Sequence, residues 1–121
     1  MDSRFEEGMQ TRRQVLGDDY VDRAVAKTSE FDSDFQKWIT ETAWAGVWAR
    51  PGLERKVKSL ITIALLAALG HNELEVHLRA AGHTGATPAE VAEALMHVAV
   101  YAGVPAANHA FAVAKKIYEE T

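Results

Sequence analysis

Apolar residues recur every three or four positions along most of the chain, and no stretch alternates apolar and polar residues for long. This spacing matches the period of an amphipathic α-helix, and the many Ala, Leu, Glu and Arg residues favour helix as well. The pattern therefore predicts an all-α fold, a compact multi-helix domain. We expect helices at about 3–16, 18–27, 33–48, 53–69, 73–81, 88–102 and 105–119.

Local signals indicate where several of these helices begin. The clearest is Thr87-Pro88-Ala89-Glu90, in which Thr can cap the helix, Pro suits its first position and Glu completes a capping box. Ser33 and Gln36 resemble a second capping box, and Asp18 or Asp19 can cap the helix that follows Gly17. Residues 82–86, with two glycines around His83, are expected to form a loop.

The faces of the helices indicate what each one buries. The fourth helix is apolar on nearly every side from Leu60 to Leu69. A helix of this kind is usually buried, and a chain this short can hardly cover it, so we expect a subunit interface and a homo-oligomer. Two further sets share a helix side by their spacing: Phe5, Met9, Arg12 and Leu16 on the first helix, and Phe31, Phe35, Trp38, Ile39 and Thr42 at the third. On the last helix, we expect Ala107, Phe111, Ala114 and Tyr118 to point inward.

Composition narrows the class of protein. A chain of 121 residues is expected to form one domain over 1–121. The net charge of -4 and the lack of a Lys/Arg stripe argue against nucleic acid and membrane partners. The absence of cysteine excludes disulfides, thiolate metal sites and a Cys nucleophile. With no apolar segment at the N-terminus, we expect a cytoplasmic protein.

Histidines are the first candidates for chemistry. Glu73 and His77 are four residues apart on one helix face, which is a metal-ligand spacing, but such pairs are common by chance and we expect no metal. His77 shares its face with Leu74 and Leu78 and should point inward. It is then either a core histidine bonded to a backbone carbonyl or a functional group, and the pattern favours the first. His83 is expected to be exposed.

A second candidate cluster combines Trp44 and Trp48, which should stack on one helix face, with Arg50 just beyond them. Two interpretations explain this cluster equally well. One is core packing with the arginine pointing outward. The other is an apolar pocket wall beside a cation, which would suit a flat anionic ligand. Tyr101 and Asn108 place a phenol and an amide near a helix start.

Several stretches along the chain form a recognisable set: Gly8-Met9, Arg12-Arg13, Val15-Leu16-Gly17-Asp18, Ala43-Trp44, Trp48 to Leu53, Ser59 to Ala64, His77-Leu78-Arg79-Ala80 and Tyr101 to Asn108. Taken together, these stretches resemble the γ-carboxymuconolactone decarboxylases, and the resemblance covers nearly the whole chain. The related alkylhydroperoxidase-like proteins use a Cys-x-x-Cys pair, whereas the corresponding residues here are His71-Asn72-Glu73-Leu74, which argues against peroxidase activity.

The resemblance implies an all-helical homo-oligomer, commonly a hexamer. It also implies a reaction in which γ-carboxymuconolactone loses carbon dioxide and becomes β-ketoadipate enol-lactone, in the protocatechuate branch of aromatic catabolism. The family needs no cofactor for this reaction. Two alternatives remain: a cysteine-free relative acting on another small molecule, and a non-catalytic oligomeric binding protein.

The same resemblance suggests roles for individual residues. His77 would be the hydrogen-bond donor or proton source, since the ordinary histidine pKa is near neutral. Arg50 would hold the substrate carboxylates, since its fork is bidentate. The remaining candidates for substrate binding are Arg12, Arg13 and Arg55 as further cations, Trp44 and Trp48 as ring walls, and Tyr101 or Asn108 as an additional hydrogen bond.

Overall fold

The computed structural model describes residues 3–120, and the regular secondary structure within that range is helical throughout. The predicted all-α class is therefore confirmed. The α-helices are α1 (Ser3–Leu16), α2 (Asp18–Lys27), α3 (Ser33–Ile39), α4 (Arg55–Leu69), α5 (Leu74–Thr84), α6 (Pro88–Tyr101) and α7 (Val104–Glu119), and a π-helix, Thr40–Trp48, continues α3.

The chain divides into two compact units, of which unit 1 ends at Glu54 and unit 2 begins at Arg55. In unit 1, α1 packs closely along the π-helix. Gly8 lies at this contact, where a Cβ atom would collide with the backbone carbonyl of Thr40. The absence of a side chain at Gly8 is therefore what lets the two helices approach.

The π-helix was not predicted, because we expected one continuous α-helix over 33–48. The segment does reach Trp48, but its last nine residues form the wider helix, as shown by the bond from the Ala49 N–H to the Trp44 carbonyl, 3.0 Å long. Apolar spacing does not distinguish the two helix types over so short a stretch. Because π-helical turns are rare and often lie at functional sites, this segment is a natural place to look for one.

Two predicted helix caps are wrong. Gly17 occupies the N-cap of α2 with a φ of 91°, so Asp18 is the first helical residue and forms an ion pair with Arg13. Asp32 occupies the N-cap of α3, and Ser33 is its first residue. At α2 the residue before the two aspartates is a glycine without a capping side chain, whereas at α3 Asp32 and Ser33 are adjacent candidates. In both places the sequence alone does not say which residue precedes the helix.

In unit 2, α4 to α7 enclose one apolar core. Leu74 and Leu78, which share the face predicted to point inward, are buried in this core together with Val91 and Leu95. Phe111 is not inward: it is 38% exposed, because the buried stripe of α7 is made of smaller residues to one side of it. That stripe is Ala107, Ala110, Ala114 and Ile117.

The connection between α5 and α6 is shorter than predicted. Helix α5 continues through Gly82 and His83 to Thr84, so the expected loop over 82–86 is wrong for its first three residues. The helix ends where Gly85 adopts a φ of 88°, a left-handed conformation that glycine takes at little cost. His83 is exposed as predicted, but on the last helical turn.

The capping box at the start of α6 is confirmed. The Thr87 hydroxyl accepts a bond from the Glu90 N–H, and the Glu90 carboxylate accepts one from the Thr87 N–H, at 3.1 and 3.0 Å.

We expect Thr87→Ala to lower the free energy of unfolding by roughly 1–2 kcal/mol, since it leaves a helix donor without its side-chain acceptor. Urea denaturation measures this, with Thr87→Ser as the matched control. A Thr87→Ser loss as large as that of Thr87→Ala would contradict it.

Apolar side chains remain at the surface of each unit. At the third helix, Phe31 is 98% exposed and both Phe35 and Trp38 are more than half exposed, so the aromatic residues found there at helical spacing are not buried. On α4, Ile63 and Ala67 are buried, whereas the opposite side exposes Ile61, Leu65 and Leu69. Both helices thus carry apolar surface that their own unit leaves uncovered.

Candidate active site

The two tryptophans of unit 1 form the stacked pair that the sequence predicted. The rings of Trp44 and Trp48 lie 5.3 Å apart between centroids and are inclined by 25°. Each residue is only 8% exposed, so the pair serves mainly as packing and offers a ligand little more than a ring edge. Arg50 follows two residues after the π-helix and is exposed.

The neighbouring arginines of α1 lie in different surroundings. Arg13 donates to Asp22 at 2.8 Å and to Asp18 at 3.2 Å, and these hydrogen bonds raise its pKa above the ordinary value. Arg12 is partly buried and faces a hollow of about 360 Å³ within unit 1, which we name the unit 1 cavity. Of the two, Arg12 is therefore the cation that a small molecule in the unit 1 cavity would meet.

Phe5 and Met9 of α1 and Val25 of α2 supply the apolar side chains of the unit 1 cavity. Lys37, which was not predicted as a site residue, joins Arg12 there. No local signal marks Lys37, since its place depends on how α1 and α3 pack. The complete lining is Phe5, Met9, Arg12, Val25, Thr28, Ser33, Gln36, Lys37 and Thr40.

In unit 2, His77 lies on the core face of α5, between the buried Leu74 and Leu78, as predicted. Burial disfavours the charged imidazolium and lowers the pKa of His77 to about 4. The pKa therefore lies well below the ordinary histidine value, and His77 is neutral at pH 7. A neutral imidazole still has an N–H that can donate a hydrogen bond. Arg79, two residues after His77, forms ion pairs with Glu75 and Glu120.

The other candidates of unit 2 are spread over three helices. Arg55 is the first residue of α4 and is partly buried. Tyr101 is exposed at the end of α6, where its ring stacks on that of His97 at 6.4 Å between centroids. Asn108 lines a hollow of about 470 Å³ between α6 and α7 together with Lys115 and Tyr118. Tyr101 is not among the residues that line this hollow.

Two properties of the described chain bear on partners. Within residues 3–120, no three or more His, Asp or Glu side chains lie close enough together to hold a metal ion. Glu73 occupies the N-cap of α5, one turn before His77. No helix in that range is both long enough and apolar enough to cross a membrane.

The lowered pKa of His77 makes stability depend on pH. The unfolded chain binds a proton on this residue below about pH 6.5, whereas the folded chain resists it until about pH 4. Stability is therefore fully present above pH 6.5 and falls as the pH drops towards 4, by roughly 3 kcal/mol if the whole shift is realised. Denaturant unfolding at pH 7 and pH 4.5 measures this loss, which His77→Gln should reduce. If His77→Gln lost as much stability between pH 7 and pH 4.5 as the unaltered chain does, the loss would come from other titratable groups.

These features define a cysteine-free, all-helical protein whose core-facing histidine is neutral. The model of the carboxymuconolactone decarboxylase family matches residues 33–116, and the chain belongs to that family. A 4-carboxymuconolactone decarboxylase of Acinetobacter baylyi is 42% identical over 98% of this chain and 90% of its own length.

Two further relatives extend the comparison. A nitrosuccinic acid decarboxylase of Metarhizium robertsii is 43% identical over 93% of this chain and 79% of its own length. A 4-carboxymuconolactone decarboxylase of Pseudomonas putida is 50% identical over 33% of this chain and 83% of that sequence. All three are thus named as decarboxylases, but of two different acids.

Proposed function

We propose that this protein is a carboxy-lyase that converts γ-carboxymuconolactone to β-ketoadipate enol-lactone and carbon dioxide, without a cofactor, in protocatechuate catabolism. The observation that carries the proposal is the 42% identity with the Acinetobacter baylyi decarboxylase over almost the full length of both chains. We further propose that it works in the cytoplasm as a homo-oligomer, with a hexamer as the expected form.

The chemistry of the substrate explains why side chains suffice. The carboxylate leaves from the γ-carbon of an unsaturated lactone, and its electron pair passes through the double bond into the lactone carbonyl. The resulting dienolate is stabilised by the ring itself. The protein must then hold the carboxylates with cations, donate a hydrogen bond to the growing negative charge, and allow a proton to reach the ring carbon.

Among these tasks, the hydrogen bond to the developing enolate suits His77 best. With a pKa of about 4, His77 carries the extra proton in only about one molecule in a thousand at pH 7. A neutral imidazole can polarise a carbonyl through its N–H without giving up a proton. We therefore propose His77 as the donor to the lactone oxygen rather than as a strong acid.

The cations are assigned by their surroundings. Arg50 is exposed and Arg12 faces the unit 1 cavity, and on this placement the two are the proposed carboxylate holders. Arg13 donates to Asp18 and Asp22 and is a secondary candidate. Secondary proposals keep Arg55 as a third cation, Trp44 and Trp48 as apolar walls, and Tyr101 or Asn108 as an additional donor.

A second candidate substrate is nitrosuccinic acid, because the Metarhizium robertsii relative is as similar to this chain as the lactone decarboxylase is. Decarboxylation of the two acids requires related chemistry. A nitro group beside a departing carboxylate accepts its electron pair as a lactone carbonyl does, and both acids are anions that need cations. The remaining alternative, a non-catalytic binding protein, would turn over neither acid.

An ultraviolet assay with freshly generated γ-carboxymuconolactone, run beside one with nitrosuccinate, decides between these functions. We expect loss of the lactone with one carbon dioxide per molecule, at a kcat/KM at least about a hundredfold above that for nitrosuccinate, and unchanged by a chelator. The reverse preference would establish the second candidate. No turnover of either acid by a folded oligomer would reject both.

A further inference from the structure

Phe31 is the most exposed large apolar residue of the described chain, at 98%. It lies in the turn that joins α2 to α3, and hydrogen bonds hold this turn in place. The Ser29 N–H donates to the Asp32 carboxylate at 2.8 Å, and the Phe31 N–H donates to the Ser29 hydroxyl at 3.3 Å. The aromatic ring is thus held in solvent by an ordered turn, a costly arrangement unless another surface covers it.

The unit 1 cavity opens beside this turn, since Thr28 and Ser33 of its lining flank the turn on either side. Most of its surface is apolar, with Arg12 and Lys37 as its charged members, and its volume of about 360 Å³ exceeds that of a phenylalanine side chain. The turn that carries the exposed aromatic ring therefore borders a largely apolar hollow of suitable size.

The residues around Phe31 and those that line the cavity also carry opposite charges. Glu30, Asp32 and Asp34 surround Phe31 in sequence, whereas the cavity lining carries Arg12 and Lys37. A surface with an acidic projection beside a basic hollow is complementary to a copy of itself, since a twofold axis brings each projection to the hollow of the other copy.

We propose that two copies of this chain associate through this face, with Phe31 of each copy inserted into the unit 1 cavity of the other. The inserted ring takes up only part of the hollow, whose volume exceeds that of a phenylalanine side chain, and it closes the remainder around Arg12. The space that a small molecule would enter is therefore complete only in the dimer. The proposal rests on the self-association proposed above but not on the proposed reaction. Its tests measure contact between copies rather than turnover.

The lack of cysteine makes a direct test possible, since an introduced thiol has no native thiol to react with. A Phe31→Cys chain is mixed with a Met9→Cys chain and oxidised, and the disulfide-linked heterodimer is quantified by mass spectrometry. The control mixes Phe31→Cys with Ala26→Cys, because Ala26 is exposed on α2 but does not line the cavity. We expect at least a fivefold excess with Met9→Cys, and equal yields would overturn the proposal.

Sedimentation equilibrium provides the second measurement. Phe31→Ser should weaken self-association at least tenfold while leaving the helical circular dichroism unchanged. Added salt should weaken the self-association of the unaltered protein. Unchanged association of Phe31→Ser would overturn this interface while leaving the homo-oligomer in place. A chain that stays monomeric at all concentrations would overturn both, whatever the decarboxylase assay shows.

Discussion

His77→Ala is expected to lower kcat on γ-carboxymuconolactone at least about a hundredfold, the usual effect of removing a donor to a developing oxyanion. The fold should persist, since Leu74 and Leu78 keep α5 in the core of unit 2. Because the neutral imidazole is the proposed working form, kcat of the unaltered enzyme should stay level from pH 8 down to about pH 5, well below the ordinary histidine pKa. Steady-state kinetics over this range test both expectations.

His83→Ala is the matched control for this prediction. His83 lies on the same helix, six residues further on, and is exposed on its last turn. Its loss should leave kcat within about twofold, the scatter expected for an exposed side chain away from the site. If His83→Ala abolished turnover and His77→Ala did not, the donor role would move to His83. A fall in kcat between pH 7 and 6 would contradict the neutral form.

The largest stability effect is expected for Gly8→Ala, which should lower the free energy of unfolding by about 3 kcal/mol, near the top of the range for overpacking. The added methyl group meets the backbone carbonyl of Thr40, and backbone cannot rotate away as a side chain would. The helices of unit 1 must therefore separate, and the loss should appear in urea denaturation together with a change in tryptophan fluorescence from Trp44 and Trp48.

Gly82→Ala distinguishes this collision from any general effect of replacing a helical glycine. Gly82 is exposed within α5, and a Cβ atom there meets nothing within 4 Å. The helix preference of alanine should then raise stability by up to about 1 kcal/mol. A Gly8→Ala variant as stable as the unaltered chain would show that α1 and the π-helix approach less closely than described.

Apolar spacing was enough to predict the helical class and most helix ends. The best-predicted elements are those in which local chemistry agrees with packing, such as the capping box of Thr87 and Glu90, which is confirmed. The failures arise where packing decides. Nothing in residues 40–48 distinguishes a π-helix from an α-helix, and a stripe of alanines takes the inward place that was predicted for Phe111.

For the candidate site, the sequence supplied residues but not their surroundings. The inward direction of His77 followed from its leucine neighbours, whereas its low pKa depends on how deeply the folded chain buries it. Arg12 and Arg13 are adjacent, and the helical spacing placed only Arg12 on the side of Phe5 and Met9. That Arg12 faces a cavity while Arg13 binds two carboxylates is seen only in the fold.

The π-helix also fixes the direction in which the next residues leave it. Each α-helical residue turns the chain by about 100°, and a wider helix turns it by less. Over Thr40–Trp48 this underwinding accumulates, so Trp48 and Arg50 leave the segment in a different direction from the one an α-helix of equal length would give them. Removing one residue from this segment would therefore keep its helical bonding but redirect the arginine proposed to hold the substrate.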